Sequence, residues 1–92
     1  MLTYKRYYHV PWREIEKKAV VVSVKNNEVI VFNEVGTEIW KFIKSEKKVN
    51  EIADHILSLF ESDKNTVKKD VESFLKDLQE REMLDVKQEI KS

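Results

Sequence analysis

Several residue types are scarce or missing in this sequence, and each absence excludes a class of protein. The 92 residues include no cysteine, so the chain has no disulfide, no thiolate metal ligand and no thiol nucleophile. Lysine and arginine number 17, as do aspartate and glutamate, which leaves no net charge to attract nucleic acid or an anionic membrane. No apolar run approaches the ~20 residues of a membrane span, and the expected location is the cytoplasm.

Glycine and proline occur once each, which favours regular elements joined by short polar connections. The β-branched run 19–24 predicts a strand, and residues 29–32 predict the return strand of a hairpin. Asn26 and Asn27 tolerate positive φ and suit a two-residue turn between these strands. The segment 11–16 is a candidate third strand, with its proline at the start of the strand or on a sheet edge.

From Asn33 onward the apolar residues follow a helical period. Asn33 is a suitable N-cap for a first helix that ends near Lys44. Two further apolar stripes predict helices over about 49–61 and 65–81, the second of them capped by Asp63 or Asn65.

This order of elements predicts an α+β fold of the winged helix-turn-helix type, with a small antiparallel sheet of two or three strands followed by three helices. The length fits a single domain. We expect its core to span about residues 18–85, with an N-terminal arm (1–17) and a C-terminal tail (86–92) that are flexible.

No pattern in the sequence indicates catalysis. Carboxylates alternate with lysines along the helix faces, which is typical of a solvated, salt-bridged surface. His9 and His55 lie far apart and without the spacing of metal ligands. Gly36 alone cannot form a phosphate-binding loop, and it indicates close helix packing instead. The sequence therefore predicts a protein that is not an enzyme and uses no cofactor or metal.

The third helix carries lysines, as a DNA-recognition helix does, but its acidic residues offset them. These lysines are Lys64, Lys68, Lys69 and Lys76, and the acidic residues are Asp63, Asp70, Glu72, Asp77 and Glu80. Because affinity for DNA follows the number of phosphates neutralised, we expect no nucleic-acid partner. A winged-helix DNA-binding regulator remains the alternative function, and an interaction module without a peptide client is a third possibility.

A sheet of two or three strands has open edges. The apolar segment 29–32 at such an edge presents backbone N–H and C=O groups to any strand that approaches. Proteins normally protect edges of this kind, so this one is either covered or used to bind an extended peptide.

Three segments resemble a known family in their order and spacing: "FNEVGTEIW" (32–40), "KKVNEIADHI" (47–56) and "DVESFLKDLQEREML" (70–84). Together with the hairpin before them, over about residues 18–85, they resemble the PqqD-like family of precursor-peptide recognition elements. The chain departs from the family pattern at Lys48, where a threonine is frequent, and at Met83 and Leu84, where a glycine commonly precedes the last apolar residues. Both are structural positions.

The resemblance implies a non-catalytic adaptor that binds the leader peptide of a ribosomally made precursor peptide. The leader would add as an antiparallel strand to the last hairpin strand, at Val29, Ile30, Val31 and Phe32. It would lie against a flank of the third helix that carries Lys69, Asp70, Ser73, Lys76 and Asp77. The implied partner enzyme is a radical S-adenosylmethionine protein, as in pyrroloquinoline quinone biosynthesis, or a leader peptidase and cyclase of a lasso-peptide pathway. We expect a monomer or a weak homodimer that contacts no membrane.

Overall fold

Two small antiparallel sheets and three helices form the fold in this computed structural model, which describes residues 1–88. The strands are β1 (Leu2–Arg6), β2 (Trp12–Ile15), β3 (Lys18–Ser23), β4 (Glu28–Val31) and β5 (Leu84–Gln88), and the helices are α1 (Glu34–Phe42), α2 (Val49–Leu59) and α3 (Lys64–Glu80). In the larger sheet β3 lies between β2 and β4, and in the smaller sheet β1 pairs with β5. The predicted α+β fold is confirmed, and the second sheet is an addition to it.

The β3–β4 hairpin has apolar side chains on both of its faces. Val21 lies opposite Ile30 on the face that packs into the core, whereas Val20 lies opposite Val31 on the outer face. The connection is longer than the predicted two-residue turn, because Ser23 pairs with Glu28 and residues 24–27 form the loop. In this loop the Ser23 hydroxyl accepts a hydrogen bond from the Asn26 N–H at 3.4 Å.

The candidate third strand is confirmed as β2. Pro11 precedes it, and the Pro11 carbonyl accepts a hydrogen bond from the Val22 N–H at 3.0 Å. Glu16 and Lys17 form a two-residue turn between β2 and β3, with φ of 51° and 67°. Positive φ at both central residues is the requirement of a type I′ turn, which normally selects asparagine or glycine.

The helices begin at the predicted caps. The Asn33 side-chain oxygen accepts a hydrogen bond from the Gly36 N–H at 2.8 Å, and Asp63 accepts one from the Thr66 N–H at 3.1 Å. These side chains satisfy donors that the first turn of a helix leaves free. Helix α2 begins after Lys48, whose N–H donates to the Glu51 carboxylate at 2.9 Å. It ends two residues earlier than the predicted residue 61.

The core lies between the inner face of the larger sheet and the three helices. Trp40 is fully buried at its centre and contacts the rings of Phe32 and Trp12 edge-on. The helices contribute apolar side chains at helical spacing, among them Ile39, Ile43, Ile52, Ile56, Val71, Leu75 and Leu78. Burial of these stripes is the main source of stability for helices of this length.

Residues 1–17, which the sequence analysis assigned to an N-terminal arm, contribute two strands to the fold. β1 pairs along its length with β5, and Tyr4 exchanges two backbone hydrogen bonds with Lys47 at 2.8 and 2.9 Å. The Arg6 guanidinium donates to the Trp40 carbonyl at 2.7 Å and lies over the ring of Trp12, and burial lowers the pKa of Arg6. Of the predicted C-terminal tail, residues 86–88 belong to β5, and residues 89–92 lie outside the described part of the chain.

Candidate functional site

The outer edge of β4 has no partner strand within residues 1–88. The Phe32 N–H donates to the Ala19 carbonyl at 2.9 Å, so Phe32 and Ile30 direct their backbone groups toward β3. Val29 and Val31 therefore direct their backbone groups outward, and the two residues are 66% and 60% exposed. Neither lysine nor proline protects this edge, which leaves it open to pairing with another strand.

A stripe of side chains on α3 lies beside this edge. It consists of Asp70, Phe74, Asp77 and Arg81, which fall within about 60° of one another around the helix. The rings of Phe74 and Phe32 have centroids 5.0 Å apart and planes at 80°. We call the space between the outer edge of β4 and this stripe the strand–helix groove.

Ionic contacts link β4 and the hairpin loop to α3 at one end of the groove. Arg81 donates from Nη1 to the Glu28 carboxylate and from Nε to Asp77 Oδ2, the latter at 3.1 Å. The hydrogen bond to Asp77, followed by the contact with Glu28, raises the pKa of Arg81 above its ordinary value. Lys25 donates to the carbonyl of Glu80 at 3.3 Å. These contacts bridge the two sides of the groove at its Glu28 end.

The other end of the groove opens beside a cavity of about 330 Å³. Its lining consists of Asn33, Val35, Gly36, Ile39, Asp70 and Phe74. A Cβ atom on Gly36 would lie 3.0 Å from Phe74 Cε1. The glycine therefore lets α1 and α3 approach closely, as predicted for this position.

The structure separates the predicted strand residues into two pairs. Ile30 and Phe32 face the core, where Phe32 is buried, whereas Val29 and Val31 face solvent. Val29 and Val31, whose backbone groups point away from β3, offer the hydrogen-bonding groups of the open edge. Phe32 instead contributes its ring, which contacts Phe74 beside the groove.

The predicted helix residues lie at different distances from the groove. Asp70 lines the cavity, and Asp77 bonds Arg81. Ser73 is exposed next to this stripe, and Lys69 and Lys76 are exposed roughly 100° farther round the helix. A role for all of these residues in peptide binding stays a prediction.

Glu28, Phe74 and Arg81 belong to the site although the sequence analysis did not select them. Asp70, Phe74, Asp77 and Arg81 follow one another at intervals of four, three and four residues. This spacing is a local signal from which their position on one face of the helix could have been predicted. The contact between Glu28 and Arg81 joins residues 53 positions apart and has no local signal.

The described residues offer little to other kinds of site. No cluster of three or more histidine, aspartate or glutamate side chains with metal-binding geometry occurs among residues 1–88. His55 stacks on Phe42 at 4.1 Å, and His9 packs beside Tyr7 at 5.2 Å. Within the same residues, no helix has the length and apolar character needed to cross a membrane.

An open strand edge beside a helix in a small α+β domain is the arrangement of a protein that binds an extended peptide by strand addition. The profile of the family described as coenzyme PQQ synthesis protein D (PqqD) matches residues 18–84. The chain belongs to this family, which confirms the resemblance found in the sequence. No curated protein sequence matches the chain significantly.

Three solved structures have similar folds. TbiB1 in complex with the TbiA(beta) leader peptide is 27% identical with a TM-score of 0.77, and the match covers 88% of this chain and 94% of that one. Lasso peptide synthetase B1 complexed with the leader peptide is 14% identical with a TM-score of 0.74, over 88% and 95% of the two chains.

The third structure is the PqqD truncation of Methylobacterium extorquens PqqCD, which represents a functional, stand-alone recognition element for ribosomally synthesised and post-translationally modified peptides. It is 16% identical with a TM-score of 0.73, over 90% of this chain and 88% of that one. At identities of 14% and 16%, the last two structures support the fold, whereas TbiB1 at 27% also supports a comparison of sites.

Proposed function

We propose that this protein binds the leader of a ribosomally synthesised precursor peptide as an added antiparallel strand on β4, and presents the precursor to a modifying enzyme. The observation that carries the proposal is the outer edge of β4, which no strand of residues 1–88 pairs with, beside the apolar and charged stripe of α3. The protein acts as an adaptor and does not itself catalyse a reaction.

The open edge determines the kind of binding. Val29 and Val31 each present one N–H and one C=O, so two residues offer four backbone hydrogen-bonding groups. Each such hydrogen bond contributes about 1 kcal/mol net, whatever the side chains of the bound strand. Alternate side chains of the leader then point into the groove, where they are selected by shape and charge.

The affinity should permit release of the client. A leader that is disordered before binding loses conformational freedom when it becomes a strand, and this cost offsets part of the contact energy. We expect dissociation constants of roughly micromolar to nanomolar.

The resemblance to TbiB1, which was solved with a leader peptide, supports the type of client. The proposed partner enzyme is a radical S-adenosylmethionine protein or a leader peptidase acting with a cyclase. Because the proposed client is a ribosomal product, the proposal places the adaptor in the cytoplasm.

A titration of labelled leader peptides tests the proposal. The probes are the TbiA(beta) leader and the leaders of precursor peptides encoded beside this chain's gene, followed by fluorescence anisotropy. Val31→Pro removes an outward N–H that no strand of residues 1–88 uses, so it should weaken binding at least about tenfold with little loss of stability. Val31→Ala keeps the N–H and should bind within about threefold of the natural chain.

Two results would contradict strand addition. One is a leader that binds Val31→Pro as tightly as it binds Val31→Ala. The other is a protein that binds none of the leaders but binds duplex DNA, with an affinity that falls steeply as the salt concentration rises.

A further inference from the structure

The cavity beside Asp70 lies where the first residues of an added strand would pass. β4 runs from Glu28 toward Phe32, and an antiparallel partner runs in the opposite direction. The N-terminal part of a bound leader is therefore beside Phe32, at the mouth of the cavity, and its C-terminal part is beside Glu28. Side chains that alternate toward the groove reach the cavity from this position.

The cavity has apolar walls and one charged group. Val35, Gly36, Ile39 and the ring of Phe74 make up most of its lining. The Asn33 side-chain oxygen, which is also part of the lining, already accepts the hydrogen bond that caps α1. The carboxylate of Asp70 is thus the only charge in the described lining.

Among residues 1–88 no side chain pairs with the Asp70 carboxylate, in contrast to the other two aspartates of α3 and its N-cap. Asp77 accepts a hydrogen bond from Arg81, and Asp63 accepts one from the Thr66 N–H. The residues three and four positions from Asp70 are Thr66, Val67, Ser73 and Phe74, and none of them is a cation. On its own helix, Asp70 therefore has no partner at the usual spacing for an ion pair.

We propose that this cavity selects a lysine or arginine side chain in the N-terminal part of the bound leader. The apolar stem of such a side chain packs between Val35 and Phe74, and its cationic tip reaches the Asp70 carboxylate. The half-buried ring of Phe74 adds attraction for a cation that lies over its face. The inference rests on the proposed function and identifies a residue that determines which leaders are accepted.

The alternatives are less compatible with the lining. An acidic side chain would meet Asp70 at close range and be repelled. A purely apolar side chain would pack against the walls of the cavity. The bound peptide would also remove water from the Asp70 carboxylate, and an apolar side chain offers no charge or hydrogen bond in place of that water. A cationic side chain packs its apolar stem against the walls and pairs its charge with the carboxylate.

Selection from a random peptide library by mRNA display tests this inference without knowledge of the natural client. The natural chain should enrich peptides with lysine or arginine at one fixed position. Asp70→Asn should remove this enrichment, and Asp70→Lys should replace it by aspartate or glutamate at the same position. Asp70 is exposed on α3, so these substitutions leave the core intact.

Glu72→Gln is the matched control. Glu72 is an exposed carboxylate on the opposite flank of α3, beside Tyr4 and Lys68, so its loss should leave the selected sequences unchanged. For one selected peptide, replacing its basic residue by methionine should weaken binding about tenfold to the natural chain and have no effect on binding to Asp70→Asn.

The outcomes separate this inference from the proposed function. Selected peptides that fail to bind Val31→Pro support strand addition. If these peptides show no preference for a basic residue, the cation site is overturned. A preference for an aromatic residue that Asp70→Asn leaves unchanged overturns the cation site as well. Selected peptides that bind Val31→Pro normally, or a library that yields no binder, overturn both.

Discussion

Gly36 lies in the first turn of α1, against the side chain of Phe74 on α3. A methyl group here would lie 3.0 Å from Phe74 Cε1, 3.2 Å from the capping oxygen of Asn33 and 3.3 Å from Phe32 Cβ. All three distances are shorter than ordinary carbon contacts, so a side chain at this position requires its neighbours to move. The absence of a side chain also keeps the Phe74 ring at the wall of the cavity.

We predict that Gly36→Ala destabilises the protein by about 1 kcal/mol. Overpacking costs roughly 1–3 kcal/mol, and the better helix propensity of alanine offsets about 1 kcal/mol of that cost. Because the closest of these contacts is with the Phe74 ring, which lines the cavity, leader affinity should fall as well. Urea unfolding and anisotropy titration measure the two effects.

A Phe74→Leu background provides the control, because leucine has no Cε1 atom. In this background the alanine substitution should cost less than it does in the natural chain. An equal cost in both backgrounds would show that the contact with Phe74 is not the cause.

At the scale of elements, the two turns of the larger sheet differ in how well their residues suit them. Asn27 adopts a φ of 51° in the β3–β4 loop, a conformation that asparagine tolerates. Glu16 and Lys17 adopt φ of 51° and 67° in the β2–β3 turn, where neither side chain has that tolerance. The β2–β3 turn therefore holds strain that different residues would relieve.

We predict that Glu16→Asn combined with Lys17→Gly stabilises the protein by about 1 kcal/mol, because this pair is preferred in type I′ turns. The rise in urea midpoint measures the gain. Leader affinity should be unchanged, because β2 forms the opposite edge of the sheet from β4.

Asn26→Gly is the matched control for that change. The φ of Asn26 is not positive, so glycine at this position adds only flexibility to the unfolded chain and should not raise the stability. A similar gain from Asn26→Gly would indicate that relief of positive φ is not the mechanism.

At the scale of the whole molecule, the smaller sheet joins the two ends of the described chain. On one side β1 pairs with β5. On its other side it forms backbone hydrogen bonds with Ile43 at the C-terminus of α1 and with Lys47 in the α1–α2 connection. Lys87 of β5 bonds the Glu46 carboxylate at 3.0 Å, and this contact raises the pKa of Lys87. Residues outside the family match at 18–84 thus pair with one another and bond the end of α1 and the α1–α2 connection.

We predict that deleting residues 1–6 lowers the free energy of unfolding by at least about 3 kcal/mol. The deletion removes several backbone hydrogen bonds at about 1 kcal/mol each and exposes apolar surface around Ile43 and Leu84. Urea unfolding followed by circular dichroism measures the loss.

Leu2→Ser separates the loss of the strand from the loss of one side chain. Leu2 is 43% exposed, so this substitution in the full chain should have little effect. A truncated chain that unfolds at the same urea concentration as the Leu2→Ser chain would show that β1 is not structurally required.

The sequence alone was enough to predict the elements that depend on local patterns. Asn33 could be assigned as a cap, and Asp63 as one of two candidates with Asn65, because a capping side chain bonds an N–H only three residues away. The strand at 29–32 and the helix after it could be predicted because their apolar periods differ. The order of these segments was also enough to identify the PqqD family.

Only the tertiary structure decided which residues form the groove. Ile30 and Val31 are equally apolar neighbours, and their roles differ because β3 pairs on one side of β4 and no strand of residues 1–88 pairs on the other. The contact of Arg81 with Glu28, and the pairing of β1 with β5, join residues far apart in the chain. Such contacts depend on how complete elements pack, and the periodicity of a single segment carries no information about its partner.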